Sequence, residues 1–279
     1  MSQNLPLSLR YLSCLDIKHK PEGLREPSGL ALSPQTHTLW TVSDDTKRIF
    51  CLDSEGNIQH HQTFAIPVDG LEGIAFEPSG ECVLAVKEET NEVLRIRLSD
   101  TQVVSRVALR DMANYTTIAS FFSGTGSDSS PADTALANKG LEGITWNEAS
   151  ATVFTVKEGY PGLLIELSGT LDTIIGHTLL DKRRGFSAPE LASDDIDFSG
   201  LCYDRTRNSH WIVSDRAKRL FLFDLATQTV RQSFPLTYSK NGKQRRIAKA
   251  EGVVLDPDNN RLYIASDRKA KIYLYEIEA

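Results

Sequence analysis

An all-β fold, a five-bladed β-propeller with four-stranded blades in one domain spanning 1–279, is what this sequence predicts. Three observations predict it. A glycine-centred segment recurs five times, each copy ends on a carboxylate at a fixed distance, and apolar runs suited to further strands follow each copy. The plainest pair is "GLEGIAFEPSGECVLAVKEE" (70–89) and "GLEGITWNEASATVFTVKEG" (140–159).

Aligned on Gly29, Gly73, Gly143, Gly200 and Gly252, the openings read "EPSGLAL", "GLEGIAF", "GLEGITW", "DFSGLCY" and "KAEGVVL". Fifteen residues further on stand Asp44, Glu88, Glu158, Asp215 and Asp267, at the ends of "LWTVSD", "VLAVKE", "VFTVKE", "HWIVSD" and "LYIASD". Between opening and closing lies turn chemistry ("SPQTHT", "EPSGE", "NEASA", "DRTRNS", "DPDNN"), so each copy reads as a β-hairpin. Third strands are expected at "RIFCLD", "EVLRIRL", "GLLIEL", "RLFLFDL" and "KIYLYEI". Fourth strands are expected at "IQHHQTFAI", "VVSRVAL", "LDTIIGHTL" and "VRQSFPL". The repeats open near residues 26, 70, 140, 197 and 249, and the fifth has no fourth run of its own. "LRYLSCLDI", ahead of the first glycine, supplies the missing strand; a ring closed in this way hides its sheet edges.

Composition narrows the function. The chain is 40% hydrophobic and 24% charged, enough for a large core, and its net charge of -6 argues against a general nucleic-acid binder. No apolar run reaches the length of a membrane span, and "MSQNLPLSLRYLSCLDI" lacks the basic and apolar parts of an export signal, so the chain as written is expected in the cytoplasm. Cys14, Cys51, Cys82 and Cys202 have no metal-ligand or disulfide spacing and read as free thiols. No GxSxG or HExxH motif occurs, the histidines share no repeat position, and His60 and His61 fall in the expected outer strand of the first blade; serine- or zinc-dependent hydrolysis finds no support.

In a propeller the innermost strand of each blade lines the hub, and the second runs antiparallel to it, so the start of one and the end of the other share a face. Ser28, Glu72, Glu142, Ser199 and Glu251, each just before its glycine, are therefore expected around one mouth of the channel. Asp44, Glu88, Glu158, Asp215 and Asp267 stand outside them, preceded by Ser43, Lys87, Lys157, Ser214 and Ser266. Like charges brought close raise one another's pKa, so Glu72, Glu142 and Glu251 need a cation, the two lysines or trapped protons. Oxygen-only donors favour Ca²⁺, with Mg²⁺ second, over zinc.

Glycine-to-glycine spacings of 44, 70, 57 and 52 place the extra length in linkers 112–140, 181–197 and 237–250, which are expected to overhang the mouth. The last two bring Lys182, Arg183, Arg184, Lys243, Arg245, Arg246 and Lys249, donors suited to an anionic group. "GTGSDSSPAD" in the first is expected to be a loop tip.

The segments "NKGLEGITWNEASATVFTVKEG" (138–159), "DFSGLCYDRTRNSHWIVSD" (197–215) and "KAEGVVLDPDNNRLYIASD" (249–267) resemble the SdiA-regulated, or YjiK-like, family along nearly the whole chain. The resemblance implies a five-bladed propeller, in agreement with the spacing. It also implies kinship with phytase-like and esterase-like propellers and, for some members, a link to calcium responses in bacteria. Many relatives carry an N-terminal membrane segment or export signal, which implies a periplasmic or envelope location that the residues present here do not. "KAEG" stands where relatives tend to have Gln-Ala-Glu-Gly, and "ASDR" where Ser-Glu-Pro is usual; Glu251 persists through both departures.

The expected function is divalent-cation binding, Ca²⁺ first, at the channel mouth through Glu72, Glu142 and Glu251, in calcium homeostasis or signalling. Two alternatives differ in class. One is a scaffold that holds a protein or envelope component without chemistry, and the other a metal-assisted hydrolase of an anionic ester.

Overall fold

The computed structural model describes residues 6–122, 139–189, 191 and 196–278. Five four-stranded antiparallel sheets are arranged in a ring. Blade 1 comprises Leu30–Leu32, Leu39–Val42, Arg48–Leu52 and Phe64–Ala65. Blade 2 comprises Leu71–Phe76, Cys82–Lys87, Glu92–Arg97 and Gln102–Ala108. Blade 3 comprises Leu141–Asn147, Thr152–Lys157, Leu163–Ser168 and Ile174–Leu179. Blade 4 comprises Gly200–Asp204, Ser209–Ser214, Arg219–Asp224 and Thr229–Pro235. Blade 5 comprises Ala250–Asp256, Arg261–Ser266, Lys271–Glu278 and, as its outermost strand, the N-terminal Ser8–Asp16. Ser8 pairs with Glu278 and Asp16 with Lys271, so the two ends of the described chain close the ring. Among the described residues there is no α-helix, and no helix long and apolar enough to cross a membrane.

Burial explains why these segments are strands. The second strand of blade 3 is buried at all six positions, as a strand covered on both faces must be. The outer strand of blade 2 alternates exposed and half-buried residues, the pattern of a strand with one wet face. Side chains from neighbouring blades form the core: Trp211, Phe234, Leu236 and Ile247 meet Tyr273 and Tyr275 between blades 4 and 5. Each such burial contributes roughly 1.5–3 kcal/mol. At the tight turns Asp53, Asp204 and Asp256 accept hydrogen bonds from backbone N–H groups two to four residues ahead, which satisfies donors that the hairpins leave open.

The repeated glycines hold the ring together by lacking a side chain. A Cβ on Gly29 would lie 2.7 Å from Glu72 O, on Gly73 2.4 Å from Glu142 O, and on Gly143 2.8 Å from Leu201 N. On Gly200 it would lie 2.5 Å from Glu251 O, and on Gly252 2.9 Å from Leu30 N. Each inner strand thus touches the backbone of the next, and the fifth touches the first.

Three expectations need correction. Of "IQHHQTFAI" only Phe64–Ala65 is a strand, and His60 and His61 lie in a turn. The Thr63 hydroxyl accepts from Cys51 N at 3.1 Å, doing the work of a ladder carbonyl, and Gln59 N donates to Cys51 O at 2.8 Å, which curls the chain. The first two linkers reach the mouth only at their last residues, where Lys139 and Asp197 line its cleft; the rest of their described length runs between the blades. Ala113 bridges to Thr173 at the far end of blade 3, and Met112 and Ile118 bury between blades 2 and 3. Phe186 packs on Phe198, Phe221 and Phe223 between blades 3 and 4. Apolar side chains in these linkers fill the crevices that widen outward from the hub. The third linker, 237–250, contains a two-stranded hairpin, Thr237–Lys240 and Lys243–Arg246. "GTGSDSSPAD" lies outside the described residues.

Candidate functional site

The three glutamates before the glycines share a backbone device. Pairing of inner with second strand slips by one residue between Leu71 and Gly73, between Leu141 and Gly143, and between Ala250 and Gly252. Glu72, Glu142 and Glu251 are the extra residues of these β-bulges, which release them from the ladder and re-aim their side chains. Blades 1 and 4 have no such slip at the matching point. There Ser28 N and Ser199 N donate to Val42 O and Val213 O, each at 3.0 Å. Where the repeat carries glutamate the strand bulges, and where it carries serine it does not.

The glutamates converge around Glu142, which is 8% exposed. Its pKa is driven well above the usual carboxylate range by burial first, and then by the charges of Glu72, Glu158, Glu88 and Glu251. Burial, with Asp44 next, raises Glu72 to about 7, partly offset by the Ser28 hydroxyl. Burial also raises Glu251 to about 8; the Ser199 hydroxyl beside it lowers that value without closing a hydrogen bond of normal geometry. Burial raises Glu88 too, against a 3.2 Å hydrogen bond that its Oε1 accepts from Gly140 N.

The tightest group is not the trio that the sequence singles out. Carboxylate oxygens of Glu88, Glu142 and Glu158 lie within 4.8 Å of one another, and Glu72 and Glu251 flank them. Two elements make this meeting possible. Glu88 and Glu158 directly follow the second strands of blades 2 and 3, and Gly140 lets those blades approach: a Cβ there would lie 2.4 Å from Glu88 O. Gly140 O also accepts from Glu158 N at 3.0 Å.

The remaining expected residues are spread around this group. Asp44 is exposed, and burial followed by its neighbour Asp45 raises its pKa. Asp215 accepts from Lys218 Nζ and from Ala250 N, and Asp267 accepts from Lys249 Nζ at 2.8 Å. Lys87 turns away to Asp69, donating to its backbone oxygen at 2.9 Å and to Oδ1 at 3.1 Å. Lys157 is fully buried; its Nζ donates to Gly159 O at 3.0 Å and lies 5.9 Å from the centre of the Phe122 ring. Burial lowers its pKa to about 8. Arg183 is exposed near Asp181, and Arg184 donates to Gln228 in the turn at the opposite end of blade 4, so neither joins the glutamates.

A cleft of about 310 Å³ opens beside the glutamates, lined by Lys139, Glu158, Asp197, Arg216, Lys249 and Glu251, with Asp215 and Gly159. Sequence reasoning missed Lys139, Asp197 and Arg216. Lys139 pairs with Glu158, and Asp197 accepts from Ser214 Oγ at 2.5 Å and from Arg216 N at 2.9 Å. All three fall at the edges of linkers or one step past the repeated carboxylate, where five-fold alignment gives no signal. The other end of the channel differs: its opening of about 130 Å³ is walled mainly by apolar residues, Leu, Ile, Ala and Pro among them, and its acids Glu77 and Glu148 pair with Arg95 and Arg205.

Ring, bulges and acidic mouth together define a five-bladed propeller whose hub carries buried carboxylates on one face. The chain belongs to the SdiA-regulated family, whose model matches residues 8–273. In fold it is similar to the crystal structure of Myxococcus xanthus glutaminyl cyclase, with a TM-score of 0.62 at 10% sequence identity, over 97% of this chain and 96% of that one.

Proposed function

We propose that the chain binds a divalent cation at the mouth of its hub, Ca²⁺ in preference to Mg²⁺, through Glu88, Glu142 and Glu158, with Glu72 and Glu251 beside them. One observation carries the reading: three glutamates from two blades hold oxygens within 4.8 Å of one another around a buried carboxylate. Ca²⁺ accepts about six to eight oxygens in flexible geometry, whereas Mg²⁺ demands a near-ideal octahedron, so carboxylates gathered from two blades suit Ca²⁺ better. The donor set fits a hard cation, since no histidine or cysteine is among it. Buried carboxylates that cannot all ionise together are stabilised by a cation that neutralises them. A bound ion would supply a positive centre that attracts an anionic ligand, and the cleft beside it leads to Glu158 from solvent. Ion binding of this kind suits a role in calcium homeostasis or signalling.

The test is calorimetric titration with Ca²⁺, with thermal unfolding alongside. Calcium at about a hundred times its dissociation constant is expected to stabilise the fold by about 2.7 kcal/mol. Glu142→Gln is expected to abolish both the heat and the stabilisation while leaving the protein folded. Absence of a calcium-dependent shift at millimolar metal would end the reading.

A further inference from the structure

The hairpin of the last linker belongs to no blade. Thr237 pairs with Arg246, Tyr238 with Arg245, Ser239 with Gln244 and Lys240 with Lys243, around a turn in which Asn241 (φ 53°) and Gly242 (φ 71°) are both left-handed. This is the Asn-Gly turn whose twist suits a two-residue hairpin. Its base is anchored: Tyr238 packs on Tyr273 at 4.8 Å and on Tyr11 at 6.0 Å, Tyr275 Oη donates to Thr237 O at 2.7 Å, and Ile247 N donates to Leu236 O at 2.9 Å. Beyond the base it stands in solvent, and all four residues of Lys243–Arg246 are exposed.

The register fixes which backbone groups are open. In a two-residue hairpin the pair flanking the turn is hydrogen-bonded and pairs alternate from there, so Lys240–Lys243 and Tyr238–Arg245 bond across the ribbon. The bond from Ile247 N to Leu236 O continues the same alternation. Gln244 and Arg246 therefore point their N–H and C=O groups outward, along an edge that no other described strand pairs with. A two-stranded ribbon is marginal in water, and a third strand stabilises it. Lys240, Lys243, Arg245 and Arg246 make no ion pair among the described residues, in a chain of net charge -6. Charges on a free edge repel most strands, which is how proteins keep such edges single. They attract one class, a strand that carries carboxylates.

We infer that the Lys243–Arg246 edge is a docking site for an extended acidic segment of a partner protein, which adds as a third strand. Gln244 and Arg246 supply the backbone bonds, and the alternating side chains select for carboxylates, Arg246 on one face of the ribbon and Lys243 and Arg245 on the other. The tyrosine-anchored base holds the edge in its bound form beforehand, which reduces the ordering cost of association.

The probe is a fluorescein-labelled octapeptide of alternating Glu and Val, titrated with the full chain and followed by anisotropy. Binding is expected to weaken with added salt, to fall at least about tenfold in Arg245→Glu/Arg246→Glu, and to protect the Gln244 and Arg246 amides from hydrogen exchange. Thermal unfolding of the double variant, whose changes lie on exposed side chains, checks that the blades remain intact. A second peptide of the same charge, with proline in place of valine, cannot pair as a strand and is expected not to bind. Equal binding of the proline peptide would reduce the edge to a charged patch and overturn the inference. So would binding of phosphatidylglycerol vesicles without binding of the Glu-Val peptide.

Discussion

Glu72 and Glu251 carry a consequence for stability that runs opposite to that of most carboxylates. Their folded pKa values, about 7 and about 8, lie above the ordinary glutamate value of 4.5, so the unfolded chain gives up these protons first as pH rises. Their contribution is complete below about pH 4.5 and is lost as pH climbs through 7 and 8. In metal-free buffer, the unfolding free energy from urea titration is expected to fall between pH 5 and pH 8.5, on the order of 2 kcal/mol after allowance for solvent around both groups. Glu72→Gln/Glu251→Gln is expected to make the profile shallower, with Glu142 and Glu88 supplying the slope that remains, and a parent profile that is already flat would refute the assignment. The sequence placed these two residues and Glu142 at the mouth from repeat position alone. It placed Glu88 and Glu158 outside the inner ring, because they close the second strand and not the innermost one; Gly140, which draws blades 2 and 3 together, is visible as important only when the clash of a Cβ with Glu88 O is measured.

At the scale of the blade, the inner strand is defined by what a side chain would obstruct. A methyl group on Gly73 would meet Glu142 O at 2.4 Å, an immovable backbone atom of the next blade, so Gly73→Ala is expected to cost at least about 2 kcal/mol in chemical denaturation. A methyl group on Gly176, in the outer strand of blade 3, would meet no atom within 4 Å, and Gly176→Ala serves as the tolerated control. A tolerated Gly73→Ala would contradict the close approach of the inner strands. Inner, second and third strands were legible in every repeat because alternating or continuous apolar runs leave little choice of structure. The outermost strand of blade 1 was over-read. An edge strand has only one neighbour to support its ladder, and a threonine hydroxyl at position 63 was enough to replace part of it.

For the whole molecule, closure by Ser8–Asp16 is the feature that turns five sheets into one ring. Its pairing with Lys271–Glu278 is reinforced by Arg10, which bonds both Glu276 and Glu278. A chain lacking residues 1–16 would expose the Lys271–Glu278 edge; it is expected to melt at lower temperature and to aggregate, and a synthetic Ser8–Asp16 peptide is expected to restore part of the loss. Unchanged melting of the truncated chain would show that closure contributes little.

Blade number, strand order around the hub and the shared face of the glutamates were determined by the sequence alone, since each follows from a repeat period and from strand geometry that allows few alternatives. Tertiary structure alone decided which acids meet, because distances of a few ångströms between blades depend on bulges, on Gly140 and on the packing of linkers that obey no repeat. It alone turned the last linker into an anchored hairpin as well: Tyr238 meets Tyr273 in the third strand of blade 5 and Tyr11 in the N-terminal strand paired beside it, residues far from it in the chain.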